Sequence, residues 1–184
     1  MKKCLILIFF LLISNSHGSV KSQIISNLVL TENLKFNFKQ EINEEQETGS
    51  CIISYPKKIF CEYDDFFKKV LVSNGKSLVI NPNRNNQYFR YNLEKTSLNL
   101  ILDKTFIINK IDEFGDNLIT QEYHEIELNY DNWNVIIYFD KGNLNIIGWT
   151  TTDIYQNKVE TRLFNIEKNI IIDDKMFDIR KYIN

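Results

Sequence analysis

Between residues 49 and 80, apolar and polar side chains alternate in a pattern that predicts a meander of four antiparallel strands. Alternate positions are apolar in residues 51–55 and again in residues 59–63, as in strands with one buried face. Pro56-Lys57 between them predicts a turn, because proline fixes φ and donates no backbone hydrogen bond. Two further apolar runs flank Asn74-Gly75, a pair typical of a tight hairpin turn with positive φ at both central positions.

The same alternation predicts strands on both sides of this meander. Apolar and polar residues also alternate at residues 34–38 and 87–93. The polar residues 41–48, between the strand at residues 34–38 and the strand at residues 51–55, predict a hairpin loop. Further strands are predicted in the C-terminal part of the chain, at residues 118–119, 123–128, 135–139, 144–150, 159–166, 169–173 and 176–179. Many strands at regular spacing, with turn residues between them, are typical of a strongly curved sheet or a barrel.

Two short apolar stretches have helical spacing instead. In residues 22–31 the apolar positions lie on one side, with Ser22 as the candidate N-cap, and residues 96–103 repeat this with Thr96 as the candidate N-cap. Residues 106–108 prolong the second apolar segment. Because a short one-sided helix is stable only when it packs on something apolar, we expect both helices to cover the sheet as a lid. The prediction is a mainly β (α+β) fold.

The first 18 residues have the pattern of a secretory signal peptide. Lys2 and Lys3 precede an apolar run at residues 5–13, which is too short to span a bilayer. Ser16-His17-Gly18 predicts cleavage after Gly18; the alternative interpretation is an uncleaved amphiphilic anchor. We therefore expect export of residues 19–184 as one domain. Cys4 lies inside the apolar run, so we expect no lipidated cysteine and a soluble mature protein.

Charge and motifs exclude several classes of function. Without residues 1–18 the chain has 20 basic and 24 acidic side chains, a net charge of −4, which argues against nucleic-acid binding. His124 is then the only histidine, and we expect a structural or surface role for it. Nucleophile elbows, phosphate loops and metal-ligand spacings are absent from the sequence. We expect no enzyme, no cofactor and no metal.

Cys51 and Cys61 flank the first meander turn, and the register decides whether they can pair. If residues 55–57 form the loop, the two cysteines face each other and can form a disulfide, as an exported protein would allow. If residues 56–58 form the loop, they lie diagonally and stay reduced. The absence of a C-x-x-C motif argues against a redox-active role.

A curved sheet has a concave face, and strand parity predicts which residues face it. With a helical lid above, that face either encloses an apolar cavity, where water is costly at about 25 cal/mol per Å², or is filled as an ordinary core. In the first case the candidate lipid-binding residues are Ile25, Leu28, Phe36, Phe38, Cys51, Ile53, Tyr55, Ile59, Cys61, Tyr63, Leu98, Ile101 and Leu102.

The order of motifs in the meander resembles the LolA family of outer-membrane lipoprotein carriers. The matching residues are Gly49, Tyr55-Pro56, residues 59–63 and the LVSNGKSL run at residues 71–78. Residues 33–40 are similar to the family's opening strand, and residues 96–102 to a Thr-Pro segment in which Ser97 replaces the proline. The resemblance extends over most of residues 22–179 and is thinner at residues 109–130.

This resemblance implies a strongly curved, half-open antiparallel β-barrel with a lid of short α-helices. It implies a periplasmic monomer that accepts triacylated lipoproteins from an inner-membrane lipoprotein-releasing ABC complex. The protein would pass them to an outer-membrane lipoprotein receptor of similar fold, without covalent chemistry. The alternatives are a secreted β-barrel that binds free fatty acid or another small apolar ligand, and an adaptor with a filled core.

Two details bear on the lid and the surface. The family commonly has an arginine before the proline, which bonds to the lid backbone; here Tyr55 stands there and cannot supply the five donors of a guanidinium. We expect apolar packing to hold the lid, so that Tyr55→Phe barely changes its closure. Phe66 and Phe67 lie in the turn after the second meander strand. We expect one of them to fold under the sheet; the alternative is an apolar docking edge.

Overall fold

The computed structural model describes residues 18–113, 119–120, 122–153 and 155–183, with residues 119 and 120 described by their backbone alone. The predicted signal peptide, apart from Gly18, lies outside the described residues. So does Leu118, at the start of a predicted strand.

The described residues form a single antiparallel sheet of eleven strands. The strands are β1 (Asn33–Ile42), β2 (Glu45–Ser54), β3 (Lys58–Tyr63), β4 (Val70–Asn74), β5 (Ser77–Asn81), β6 (Phe89–Asn92), β7 (Ile119–Thr120), β8 (His124–Tyr130), β9 (Trp133–Phe139), β10 (Ile146–Thr152) and β11 (Lys158–Lys168). Their order is β6-β5-β4-β3-β2-β1-β11-β10-β9-β8-β7. Because β6 and β7 are edges, the sheet is open, and the predicted half-open antiparallel barrel is confirmed.

Among the described residues, three α-helices complete the lid side of the fold: α1 (Val20–Leu30), α2 (Leu98–Leu102) and α3 (Lys104–Glu113). A 3₁₀ helix at Leu93–Lys95 precedes α2. α1 and α2 confirm the two predicted helices, but both N-caps were predicted wrongly. Ser19, not Ser22, caps α1, through a bond from the Ser22 amide to its hydroxyl. Ser97, not Thr96, precedes α2, while the Thr96 hydroxyl donates to the Leu93 carbonyl.

α3 was not predicted as a separate helix. The Asp103 carboxylate accepts a bond from the Phe106 amide at 3.0 Å, which caps a new helix directly after α2. Ile107 and Ile111, one helical turn apart, are its buried residues. An aspartate followed by this spacing was a readable helix start.

The β1–β2 and β4–β5 hairpins turn differently from the predictions. β1 and β2 are paired from Asn33↔Ser54 to Ile42↔Glu45, so the loop is Asn43-Glu44 alone, with positive φ at both residues. The prediction of a long polar loop at residues 41–48 is therefore wrong. In the β4–β5 turn only Gly75 has positive φ, and the Asn74 side chain accepts bonds from the amides of residues 76 and 77.

The strands predicted at residues 169–173 and 176–179 are not observed: residues 169–173 form neither strand nor helix, and 3₁₀ helices follow at Asp174–Phe177 and Ile179–Tyr182. Asp173 and Asp178 cap these helices by accepting bonds from the Lys175 and Arg180 amides. The segment covers the convex face of the sheet, where Ile179 joins a second small core with residues of β4 and β5. One sheet therefore buries apolar residues on both faces in this region.

Both phenylalanines of the β3–β4 turn are exposed, with 92% of the Phe66 surface and 43% of the Phe67 surface accessible. Their rings contact each other edge to face at 5.1 Å between centroids. The prediction that one of them folds under the sheet is wrong, because the turn projects both rings outward.

Candidate functional site

The concave face of the sheet holds a cavity of about 370 Å³. Its walls come from β1–β6 on one side, β9–β11 on the other, and the start of α2. Most lining residues are apolar or aromatic, and Phe36 and Trp149 meet edge to face at 6.1 Å between ring centroids. The walls therefore favour an apolar guest.

Seven of the thirteen predicted lipid-binding residues line this cavity. They are Phe36, Phe38, Cys51, Ile59, Cys61, Tyr63 and Leu98. We call the part of the concave face that surrounds the cavity the hollow end.

The other six predicted residues lie elsewhere on the concave side, in packed core. Leu28, Ile53, Ile101 and Leu102 are buried, and Ile25 and Tyr55 are partly buried against them. Here α1 lies against Leu34, Tyr55 and Ile146. We call this part of the face, beneath α1 and the C-terminal half of α2, the filled end.

Several residues of the hollow end were not predicted. Leu71 faces the cavity because it pairs with Cys61 across the β3–β4 ladder, and parity carried one strand further would have found it. Trp149 and Thr161, paired across β10 and β11, also line the cavity. No sequence signal fixed the register of these two strands relative to the meander.

The register places the two cysteines face to face and joins them. Residues 55–57 connect β2 and β3, Cys51 pairs with Cys61, and the two form a disulfide with Cα atoms 4.1 Å apart. Of the two registers that the sequence left open, the first is the observed one. The disulfide forms part of the cavity wall.

The β2–β3 turn also holds the lid. The Lys57 amide donates to the Leu102 carbonyl at 2.9 Å, and the Lys57 ammonium lies 3.3 Å from the Asp103 carboxylate. One residue therefore binds the C-terminal end of α2 through backbone and side chain together. At the other end of α2, the Ser97 hydroxyl donates to the Thr152 carbonyl on β10 at 2.8 Å.

Tyr55 takes no polar part in holding the lid. Its hydroxyl is buried without a hydrogen-bond partner among the described residues, and burial raises its pKa above the usual range. The Lys104 ammonium lies 5.6 Å from the centre of the Tyr55 ring and donates to the carbonyls of Val29 and Thr31. The ring is therefore a packing surface between the turn and the helices.

One side of the cavity is polar. Lys69 forms an ion pair with Glu47, and its ammonium lies 3.9 Å above the centre of the Tyr63 ring. Burial, and then the negative charges of Glu47 and Asp65, raise the pKa of the Tyr63 hydroxyl above its usual range. Tyr63 is therefore a neutral hydrogen-bonding group in the wall.

His124 is buried on β8, and its Nδ1 has no hydrogen-bond partner among the described residues. It does not line the cavity. Within the described ranges, no group of three or more His, Cys, Asp or Glu side chains is placed to hold a metal ion. None of the helices in the described part of the chain is long and apolar enough to cross a membrane.

An open, curved sheet with an apolar cavity under short helices defines a class of proteins that enclose apolar guests. The particular family follows from the sequence: the family model described as outer membrane lipoprotein carrier protein LolA matches residues 30–180. The chain belongs to the LolA family. No curated protein matches it.

Solved structures with a similar fold are distant in sequence. An uncharacterized conserved protein from Thermus thermophilus has 9% identity and a TM-score of 0.47, over 84% of this chain and 91% of that one. A LolA superfamily protein from Nitrosomonas europaea has 8% identity and a TM-score of 0.41, over 88% and 98%. A putative outer membrane lipoprotein-sorting protein domain from Vibrio parahaemolyticus has 6% identity and a TM-score of 0.47, over 89% and 97%.

Proposed function

We propose that the protein is a periplasmic chaperone that encloses the acyl chains of lipoproteins released from the inner membrane and transfers them to the outer membrane. The observation that carries this proposal is the hollow end, an apolar cavity in a chain of the LolA family. An acyl chain that enters it leaves water, which is favourable by about 25 cal/mol per Å² of apolar surface.

The lid is built to move without the sheet unfolding. Few polar bonds hold α2 to the sheet, chiefly those from Lys57 and Ser97. The disulfide and the continuous ladder of β1–β5 hold the wall beneath it. Opening α2 therefore breaks few polar bonds but exposes the buried side chains of Leu100, Ile101 and Leu102. A guest larger than the resting cavity of about 370 Å³ would have to replace that apolar burial with its own.

We further propose that the protein is not an enzyme. The charged side chains of the cavity wall are Glu47, Lys69 and Asp153. Glu47 and Lys69 neutralise each other, and the Asp153 carboxylate accepts bonds from residues of its own turn. None of them is poised as a free general base.

The partners in this proposal follow from the family. They are triacylated lipoproteins as cargo, an inner-membrane lipoprotein-releasing ABC complex as donor, and an outer-membrane lipoprotein receptor as acceptor. The protein would act as a monomer, and cargo would move down a gradient of affinity.

One observation favours a second candidate, a secreted barrel for free fatty acid or another small apolar ligand. The cavity of about 370 Å³ lies near the lower end of the range for small-molecule pockets, about 300–1,000 Å³. A single small ligand therefore needs no lid movement to be enclosed.

A release assay tests the carrier function. The purified protein is added to spheroplasts that contain an active lipoprotein-releasing complex, and soluble lipoprotein is measured together with the protein that co-purifies with it. We expect a one-to-one soluble complex, and no release by a variant whose cavity is filled, Leu71→Trp. Absence of release by a protein that binds free fatty acid would instead support the second candidate.

A further inference from the structure

The mouth of the cavity lies beside the edge strand β6. Phe89 on β6 and Tyr155 in the β10–β11 turn are the exposed residues among the described cavity lining, with 50% and 76% of their surfaces accessible. Tyr91, two residues further along β6, also lines the cavity. A guest with a large soluble part therefore keeps that part outside the cavity, next to β6.

The outer edge of β6 carries backbone groups that the sheet does not use. β6 ends the strand order and pairs with β5. The Leu93 amide donates to the Lys76 carbonyl at 2.9 Å, and bonded and non-bonded residues alternate along an antiparallel pair. The backbone groups of Tyr91 and Leu93 therefore point toward β5, and those of Arg90 and Asn92 point away from it. Two amides and two carbonyls at this edge can pair with an added strand.

The side chains of these two residues do not block the edge. Charged side chains often protect an edge strand, but the Arg90 guanidinium turns toward β5 and donates to the Ser77 hydroxyl at 3.0 and 3.2 Å. The Asn92 side chain accepts a bond from the Glu94 amide at 3.1 Å, within its own segment. Both residues are exposed, so an extended chain can reach their backbone.

The surroundings of β6 are positively charged, although residues 19–184 have a net charge of −4. Residues 75–98 contain four basic side chains, of Lys76, Arg84, Arg90 and Lys95, and one acidic side chain, of Glu94. All four cations are exposed, and within the described ranges none of them forms an ion pair. Charge complementarity therefore favours an acidic partner at this edge.

The two faces of β6 specify the pattern of such a partner. Phe89 and Tyr91 face the concave side and line the cavity, whereas Arg90 and Asn92 face the convex side. The residues of an added strand alternate between the same two faces and contact their neighbours across the ladder. Apolar residues would therefore lie beside the two aromatic rings, and acidic residues beside Arg90.

We propose that the edge of β6 binds an extended, acidic segment of the cargo polypeptide, the linker that follows its acylated end, as a further antiparallel or parallel strand. This inference rests on the proposed function, since it assumes that acyl chains occupy the cavity. It adds that the protein recognises the peptide as well as the lipid, by backbone pairing at Arg90 and Asn92 and by the charge around them.

The experiment compares three N-lauroyl amides that differ only in the peptide. The first ends after Gly-Ser, the second continues with five residues of alternating Glu and Val, and the third has Lys in place of each Glu. Both tryptophans of the chain, Trp133 and Trp149, line the cavity, so their fluorescence measures binding of the acyl chain. Amide hydrogen exchange at Arg90 and Asn92 reports pairing at the edge.

The variant Asn92→Pro removes one outward amide, and Asn92→Ala is its matched control. Asn92 has a φ of −71°, near the value that proline requires, and its amide takes no part in the pairing with β5. Both variants lose the side-chain bond to the Glu94 amide. They therefore differ in the edge donor, and equal midpoints of denaturant unfolding check that both are folded.

We expect the wild-type protein to bind the acidic amide about fivefold more tightly than the basic one, as exposed ion pairs would give, and less selectively at high salt. The acidic amide, and not the Gly-Ser amide, should slow exchange at Arg90 and Asn92. Asn92→Pro should bind the acidic amide about three- to tenfold more weakly than Asn92→Ala, the range for one hydrogen bond, with equal affinity for the Gly-Ser amide.

Two results would overturn the inference and leave the carrier function intact. One is equal affinity of the wild-type protein for all three amides, with unchanged exchange at Arg90 and Asn92. The other is a ligand-free dimer in which these two amides already exchange slowly, because the edge would then bind a second copy of the chain. If none of the amides changed the tryptophan fluorescence, the inference and the proposed function would both fail.

Discussion

The two ends of the concave face are made from the same strands and yet differ in what covers them. At the filled end, α1 and the C-terminal part of α2 press Leu28, Ile101 and Leu102 against the sheet. At the hollow end, only the first turn of α2 reaches the wall, through Leu98. Whether an inward residue is core or cavity is therefore decided by the helices above it and not by the strand that carries it.

The inner faces of the two ends also differ in polarity. The filled end has Leu34, Ile53 and Ile146 facing the helices. The hollow end adds polar side chains to its apolar wall, among them Gln40, Glu47, Thr151 and Thr161. Inward polar positions therefore occur where the wall faces the cavity and not where it is covered by packed core.

The largest expected effect separates the two ends of one helix. Leu102→Ala should lower the free energy of unfolding by about 2–5 kcal/mol, because it opens a void in packed core; Leu102 is completely buried. Leu98→Ala should cost less than half as much, since it only enlarges an existing cavity. Denaturant unfolding of both variants is the measurement, and equal losses would contradict the distinction between the ends.

The wall of the hollow end should depend on its disulfide. Replacement of both Cys51 and Cys61 by alanine removes a cross-link over 10 residues and should lower the free energy of unfolding by about 2–3 kcal/mol. Guanidinium unfolding of the variant and of the wild-type protein, each with and without reductant, provides the check. A reductant effect on the variant as large as on the wild type would show that the loss has another origin.

Filling the hollow end should weaken ligand binding and leave the stability of the protein nearly unchanged. Leu71→Trp places a large ring in the cavity, so affinity for an apolar fluorescent probe should fall about tenfold or more, by roughly 1.4 kcal/mol. The free energy of unfolding should change by less than about 1 kcal/mol, because the ring enters open space. Leu71→Met, which keeps the volume, is the control. Probe binding that survives in Leu71→Trp would place the binding site elsewhere.

The ion pair between the β2–β3 turn and the lid should have a small effect. Lys57→Met removes the contact with Asp103 but keeps the amide bond to Leu102, so stability should fall by at most about 1 kcal/mol. Amide hydrogen exchange in α2 should quicken about two- to fivefold. Lys58→Met is the matched control, since Lys58 pairs with Asp174 on the other face. An equal acceleration of amide exchange in both variants would show that Lys57 has no specific role in holding the lid.

The strand pattern of the meander was predictable because the alternation of apolar residues and the positions of the turn residues indicate the same strands. Alternation in residues 51–55 and 59–63 fixed the inner face, and every inward residue of that stretch except Tyr55 is buried there. The helices α1 and α2 were equally readable. The strand wrongly predicted at residues 176–179 shows the limit, because capping by Asp173 and Asp178 prevailed over a short apolar pattern.

Only part of the cavity wall could be predicted from the sequence. Parity identified inward residues such as Phe38 and Ile53 alike, and only the packing of α1 and the C-terminal half of α2 separates cavity from core. The pairing of Gln40 with Thr161 in the cavity wall could not be predicted either, since it depends on the register between β11 and β1, which are far apart in sequence. Long-range register is set by the whole core and leaves little local trace.

The smallest expected effect concerns the hydroxyl of Tyr55 at the filled end. Because this hydroxyl is buried without a partner among the described residues, Tyr55→Phe should leave the free energy of unfolding unchanged or raise it by up to about 1 kcal/mol. Tyr138→Phe is the matched control, since the Tyr138 hydroxyl is bonded to Thr150 at 2.7 Å and its loss should cost about 1 kcal/mol. Denaturant unfolding and exchange of the α2 amides measure both. A loss in Tyr55→Phe as large as in the control would mean that the hydroxyl, and not apolar packing, holds the lid, because the ring itself remains in both variants.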